Sequence, residues 1–173
     1  MMDLDAYYER LDRQEAEMVE LARSIPEHRA PEGAEGRWSP VQELEHVCLL
    51  EGLVWHLLQR GTETRAGVPE LFGDAKLEKL LVQGRQYKIV APEIVQPKGS
   101  LTTVDAFIDR FQQQRTQLKE DLSSGRIRPD DRTYRHPILG ELTMIDWLHF
   151  MVQHTQRHLL ALRESLHLST PIA

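Results

Sequence analysis

The segment from Val41 to Leu58 constrains the fold most, because as a helix it is apolar on almost every side. Ser39 is placed as its N-cap, Pro40 at the first helical position and Gln42 where it completes a capping box. At about 100° per residue only a narrow wedge is polar, and it contains Glu45, Gly52, His56 and Gln59. A helix this apolar is expected to be central, with neighbours on several sides.

Three further long segments have the helical repeat, and no segment shows convincing strand alternation. The predicted helices are Asp3 to Ser24, Ser39 to Gly61, Thr102 or Thr103 to Leu122, and Thr143, as a cap, to His167. Residues 60–100 form a long connection, with a short helix expected near Lys76–Gln83. We therefore predict an all-α four-helix bundle over residues 1–173, a single domain with a long crossover connection between helices 2 and 3.

Composition narrows the class of protein further. The chain has 173 residues and a formal net charge of −6, which argues against general binding to nucleic acid. No run approaches the roughly 20 apolar residues that span a bilayer. Cys48 is the only cysteine, so no internal disulfide can form, and the N-terminus lacks the features of a secretory signal. These observations predict a cytoplasmic protein without nucleic-acid or membrane partners.

Two histidines on the last predicted helix point in the same direction. His154 and His158 are four residues apart, so their imidazoles project from one side of the helix, one turn apart. Trp147 and Met151 precede them in the same inward row, whereas His149 projects towards the polar side. Two buried imidazoles without partners would be costly. A shared metal ion is one way to satisfy them.

His46 on the second helix is the third candidate ligand, because it lies within that helix's broad apolar surface. Taken alone, it also fits a buried histidine hydrogen-bonded to a carboxylate or a carbonyl. With His154 and His158, on two helices expected to be in contact, it predicts a three-histidine metal site. Neutral imidazoles suit zinc, nickel or iron(II) more than magnesium or calcium. Three protein ligands also leave coordination positions open, as in catalytic zinc sites.

Other reactive residue types have simpler interpretations. Cys48 is expected to be a buried, inert thiol, and Ser39 a helix cap. His136, in a loop with proline and glycine, either lines the mouth of a pocket or lies on the surface. Three glutamates of the second helix are expected to be surface groups or partners of the metal ligands: Glu43, Glu45 and Glu51. No catalytic residue is assigned.

Three stretches of the sequence resemble the DinB-like superfamily, also called DinB/YfiT-like metalloenzymes. They are Trp38–His46 (WSPVQELEH), His136–Thr143 (HPILGELT), and Trp147-Leu148 leading to His154-x-x-x-His158. The resemblance covers essentially the whole chain and implies an up-down-down-up bundle with a divalent metal near one end. His46, His154 and His158 match the family's ligand positions one by one. The resemblance also implies a homodimer.

The functional expectations follow from this resemblance. Characterised members include glutathione-, mycothiol- and bacillithiol-dependent transferases and isomerases, in which the metal activates the thiol. The leading hypothesis is a metal-dependent thiol S-transferase or hydrolase, with a small-molecule substrate and a low-molecular-weight thiol. One alternative is a non-catalytic bundle that binds a metal or a small ligand. Another is a dimerising helical protein whose histidines are core residues.

Overall fold

The computed structural model describes residues 2–60, 63–64 and 67–168 and confirms the four long helices. The helices are α1 (Leu4–Arg23), α2 (Pro40–Arg60), the short α3 (Asp74–Glu78), α4 (Val104–Ser123) and α5 (Met144–Leu168). The predicted third and fourth helices are therefore α4 and α5. None of the helices in the described ranges is long and apolar enough to cross a membrane.

The helix starts are where the capping signals placed them. The Ser39 hydroxyl accepts from the Gln42 backbone N–H, and the Gln42 side chain accepts from the Ser39 N–H, which completes the predicted capping box. Thr103 caps α4 and Thr143 caps α5 in the same way, through their hydroxyl oxygens. Each cap satisfies a backbone donor that the first turn of a helix leaves free.

The four long helices run up, down, down and up. Helices α1 and α5 run in the same direction, α2 and α4 run in the opposite one, and the crossover between α2 and α4 makes this possible. Residue numbers rise together along the parallel pairs, in the contacts Tyr7–Leu148 and Gln14–Val152 for α1 with α5 and Cys48–Gln114 and Trp55–Asp121 for α2 with α4. They run in opposite senses between α1 and α4, in the contacts Gln14–Arg115 and Asp12–Lys119.

The bundle core contains a buried polar network that joins all four long helices. Arg115 on α4 binds both carboxylate oxygens of Glu51 on α2, each at 2.7 Å, and donates to Gln14 on α1 at 2.7 Å. Thr155 on α5 donates to Glu51 at 2.6 Å. Burial disfavours the charged guanidinium, but Glu51 holds the pKa of Arg115 above its ordinary value. The expectation that Glu51 is a surface group or a ligand partner is therefore wrong.

A small antiparallel sheet was not predicted. Strands β1 (Glu63–Thr64), β2 (Arg132–His136) and β3 (Gly140–Thr143) pair in the order β1-β2-β3. In the β2–β3 hairpin, Thr133 pairs with Thr143 and His136 with Gly140. Strand β2 reads RTYRH, so it lacks the apolar alternation by which a half-buried strand is identified. The hairpin leads directly into α5.

The long connection is attached to the bundle by two buried carboxylates. Asp146 in the first turn of α5 accepts backbone N–H groups from residues 71–73, and Glu45 on α2 accepts from Lys98 and Gly99. The expectation that Glu45 is a surface group or a partner of the metal ligands is therefore wrong, since its side chain is fully buried against this connection. The short helix expected near Lys76–Gln83 is confirmed as α3 followed by a π-helical turn, Lys79–Gln83.

Candidate metal centre

The structure brings His46, His154 and His158 together between α2 and α5. The Nε2 atom of His154 lies 3.1 Å from Nε2 of His46 and 3.2 Å from Nε2 of His158. One ligand atom from each of the three residues lies within 4.8 Å of the other two. His46 and His154 are buried, and the His158 side chain is 13% exposed. The geometry is thus that of three imidazole nitrogens aimed at one point.

The hydrogen bonds of the Nδ1 atoms, on the outer side of the cluster, explain why the Nε2 atoms face each other. Nδ1 of His46 lies 2.7 Å from the Val95 carbonyl oxygen, and Nδ1 of His158 lies 2.5 Å from a carboxylate oxygen of Glu43. A carbonyl and a carboxylate only accept, so both imidazoles carry their proton on Nδ1. In the neutral form of each ring, the Nε2 lone pair therefore points into the cluster. Val95 and Glu43 are the orienting partners on the outer side.

His154 alone cannot donate a hydrogen bond to both of these Nε2 atoms. Its Nε2 could donate one proton to only one of the two neighbours, and its Nδ1 is buried without a partner among the described residues. At least one lone pair then stays unsatisfied in the interior, which is costly. A cation at the point of convergence would satisfy all three Nε2 atoms, so the residues present fit a divalent metal.

The burial of His46 and His154 keeps these two imidazoles neutral. Burial, and secondarily the neighbouring His158, lowers the pKa of His46 to about 4. Burial and the other two histidines hold the pKa of His154 well below its usual range. A neutral imidazole is the form that binds a metal, because protonation removes the lone pair. Near pH 7 both residues are ready to bind without first losing a proton.

Aromatic side chains shield the cluster from solvent. The Trp38 ring lies 4.7 Å from the His46 ring, and the Phe150 ring lies 5.7 Å from that of His154, measured between centroids. His136 packs against Phe150 at 4.8 Å. Aromatic walls exclude water and lower the local dielectric, which strengthens electrostatic interactions at the cluster.

His149 and Cys48 lie where they were expected. His149 faces Glu70 and Asp74, at nitrogen-to-oxygen distances of 3.4 and 3.6 Å, and takes no part in the cluster. Cys48 is completely buried, as expected, and burial raises the pKa of its thiol. Glu43 is the partner of His158, which is one of the two positions expected for it. The Val95 carbonyl was not predicted, because a backbone acceptor has no side-chain signature.

Comparisons with known proteins agree with this architecture. A solved structure described as TT2238, a four-helix bundle protein, has a TM-score of 0.60 and 21% sequence identity, covering 92% of this chain and 96% of that chain. At this identity the likeness supports the fold alone. None of the curated proteins matches the chain. The family model of the DinB superfamily matches residues 10–162. The chain therefore belongs to the DinB superfamily.

Proposed function

We propose that the protein holds a divalent metal ion through His46, His154 and His158 and is a metal-dependent enzyme of the thiol S-transferase or hydrolase type. The observation that carries the proposal is the convergence of the three Nε2 atoms, two of them with lone pairs directed inwards by their Nδ1 partners. Zinc, nickel and iron(II) are the ions that suit three neutral imidazoles.

The residues of the chain supply a preorganised, dry site. Val95 orients His46 and Glu43 orients His158. Trp38 packs against His46, and Phe150 packs against His154. The chemistry that a divalent ion adds is a lowered pKa for a thiol or a water bound at an open coordination position. This supports a small-molecule substrate with a low-molecular-weight thiol as the nucleophile.

Metal content is the direct test. Protein purified without a histidine tag should contain close to one equivalent of a divalent metal by elemental analysis. His154→Ala should lose that metal while keeping its helical circular dichroism, because the other two ligands bind too weakly alone. His56→Ala is the matched control, since His56 is an exposed histidine on α2 beside Trp55. Stoichiometric metal in His154→Ala would refute the assignment.

The depth of the cluster favours a second candidate function. His46 and His154 are 2% and 8% exposed, and burial of this degree is also expected for a metal that only stabilises the bundle or binds a small ligand. A chelator should then lower the melting temperature strongly, while assays with glutathione, mycothiol and bacillithiol show no transfer to electrophiles. Thiol consumption that depends on the metal would favour the enzyme instead.

We also propose that the protein forms a homodimer and is cytoplasmic. Several large apolar side chains of the long connection are exposed, among them Tyr87 at 71% and Val90 at 87%. Exposed apolar groups that cluster on one segment are typical of contact surfaces. Light scattering should give the mass of a dimer for the wild type, and Val90→Asp should shift it towards the monomer. An unchanged mass in the variant would place the contact elsewhere.

A further inference from the structure

His136, the last residue of β2, is held in one tautomer by the hairpin that follows it. Its Nδ1 accepts hydrogen bonds from the backbone N–H groups of Ile138 and Leu139, at 3.1 and 3.0 Å. A neutral imidazole that accepts through one nitrogen carries its proton on the other. The Nε2 atom of His136 is therefore an N–H donor with a fixed direction.

This donor has no acceptor within the part of the chain that the structure describes. All hydrogen bonds of the ring go to Nδ1, and Nε2 is not among the polar atoms that are sealed from solvent without a partner. The ring itself is fixed by Trp147 and Phe150, whose centroids lie 5.4 and 4.8 Å away. Burial lowers the pKa of His136 to about 4, so the imidazole is neutral at pH 7. An oriented, neutral donor is thus left open.

One aromatic ring links His136 to the candidate metal centre. Phe150 contacts both His136 and His154, with centroid distances of 4.8 and 5.7 Å. His136 also lies within electrostatic range of His154, since a proton on His136 would lower the pKa of His154. Phe150 and His154 are four residues apart on α5, so they project from the same side of the helix. The hairpin therefore places the His136 ring one aromatic side chain away from the three-histidine cluster.

We propose, as an extension of the function proposed above, that the Nε2–H of His136 donates a hydrogen bond to the ligand held at the open face of the metal. His136 would then touch the substrate directly. The ligands that fit are small molecules with an electron-rich acceptor beside the atom that binds the metal, such as a thiolate, a carboxylate or a carbonyl group. A neutral donor suits these ligands because it stabilises negative charge without contributing a competing cation.

Two substitutions separate this role from a purely structural one. In His136→Asn the side-chain oxygen can replace Nδ1 as the acceptor of the hairpin N–H groups, but no donor reaches the position of Nε2. In His136→Gln the side-chain amide can place a donor near the position of Nε2, while the acceptor for the hairpin is lost. A hydrogen-bonding role towards the ligand and a structural role in the hairpin therefore predict opposite rankings of the two variants.

The experiment uses the full-length protein loaded with Co²⁺ and azide as the probe ligand, followed by the visible absorption of the metal. Azide should bind about tenfold more weakly to His136→Asn than to the wild type, from the loss of one hydrogen bond to a charged acceptor. His136→Gln should bind azide nearly as well as the wild type but melt at a lower temperature. Arg135→Gln, an exposed position on the same hairpin, is the control and should match the wild type in both measurements.

The outcomes distinguish this inference from the proposed metal site. Absence of Co²⁺ binding by the wild type would refute the metal site itself. If Co²⁺ binds, equal azide affinity in His136→Asn and the wild type overturns the role of His136, as does a wild type whose cobalt spectrum does not respond to azide. Weaker azide binding in His136→Gln than in His136→Asn would instead assign His136 to the hairpin alone.

Discussion

The Nδ1 atom of His158 lies 2.5 Å from a carboxylate oxygen of Glu43, so the first turn of α2 orients a histidine on α5. Both side chains are largely shielded, with exposed fractions of 13% and 21%. A carboxylate that accepts the outer N–H of a metal-binding imidazole fixes its tautomer and increases its basicity. The contact therefore links the packing of two helices to the orientation of one proposed metal ligand.

Glu43→Gln should weaken Zn²⁺ binding by about 10–100-fold, because a neutral amide polarises the His158 imidazole less than a carboxylate does. The melting temperature of the metal-free protein should change little. Competition against a chromophoric chelator measures the affinity. Glu17→Gln is the matched control, since Glu17 is a more exposed glutamate of α1 whose ion-pair partner is Arg163 rather than a histidine. Equal affinities in the two variants would contradict an orienting role for Glu43.

The helices and the three histidines could be predicted because their signals are local. A capping box at Ser39 and Gln42 needs four consecutive residues, and the spacing of His154 and His158 needs five. The helical repeat then decides which side faces inwards. His46 could be added because the apolar surface of α2 predicted that it would be covered.

The buried carboxylates could not be predicted, because their partners are distant in sequence. Glu51 pairs with the Arg115 guanidinium, 64 residues away. Glu45 accepts hydrogen bonds from backbone N–H groups more than 50 residues away. From the sequence alone, a carboxylate in an apolar helix is predicted to be a surface group, because its partner is not known. The Val95 carbonyl is harder still, because a backbone acceptor carries no sequence signature. Sheet formation at β2 likewise depends on pairing rather than on apolar alternation.

Removing Glu51 alone should reduce the free energy of unfolding more than replacing both Glu51 and Arg115 with apolar residues. Glu51→Leu leaves a buried guanidinium without its counter-charge, which should reduce the free energy of unfolding by about 3–5 kcal/mol. The double variant Glu51→Leu, Arg115→Met removes both charges and should be more stable than Glu51→Leu alone. Urea unfolding of both variants and the wild type measures the difference. A double variant less stable than the single one would contradict this.

The same measurement on an exposed pair provides the comparison. Arg163 and Glu17 approach to 3.7 Å with side chains that are 51% and 44% exposed. Replacing Arg163 by Gln should change the free energy of unfolding by less than about 1 kcal/mol, since solvent screens such pairs. A cost similar to that of Glu51→Leu would mean that burial is not what distinguishes the two pairs.

Asp146 should control the attachment of the long connection. Its carboxylate accepts N–H groups from Leu71, Gly73 and Thr143, so it closes the capping box of α5 and holds the turn before α3. Asp146→Ala should cost about 1–3 kcal/mol and speed amide exchange at residues 71–73. Hydrogen–deuterium exchange measures the latter. Asp105→Ala, in the exposed first turn of α4, should leave that exchange unchanged; accelerated exchange in both variants would contradict a specific role for Asp146.

Glu45 should make stability fall in acid. Burial alone would raise the pKa of Glu45, but hydrogen bonds from Lys98, Ser100 and Gly99 lower it below its ordinary value of 4.5. Because the folded state binds the proton less readily than the unfolded state, this contribution is fully present above about pH 4.5 and is lost as pH falls through the folded value. Glu45→Gln lacks this pH-dependent contribution, because an amide does not titrate. Urea unfolding should therefore show a wild-type advantage at pH 7 of about 1–3 kcal/mol that shrinks towards pH 3. An advantage that is constant or grows on acidification would contradict a lowered pKa for this carboxyl group.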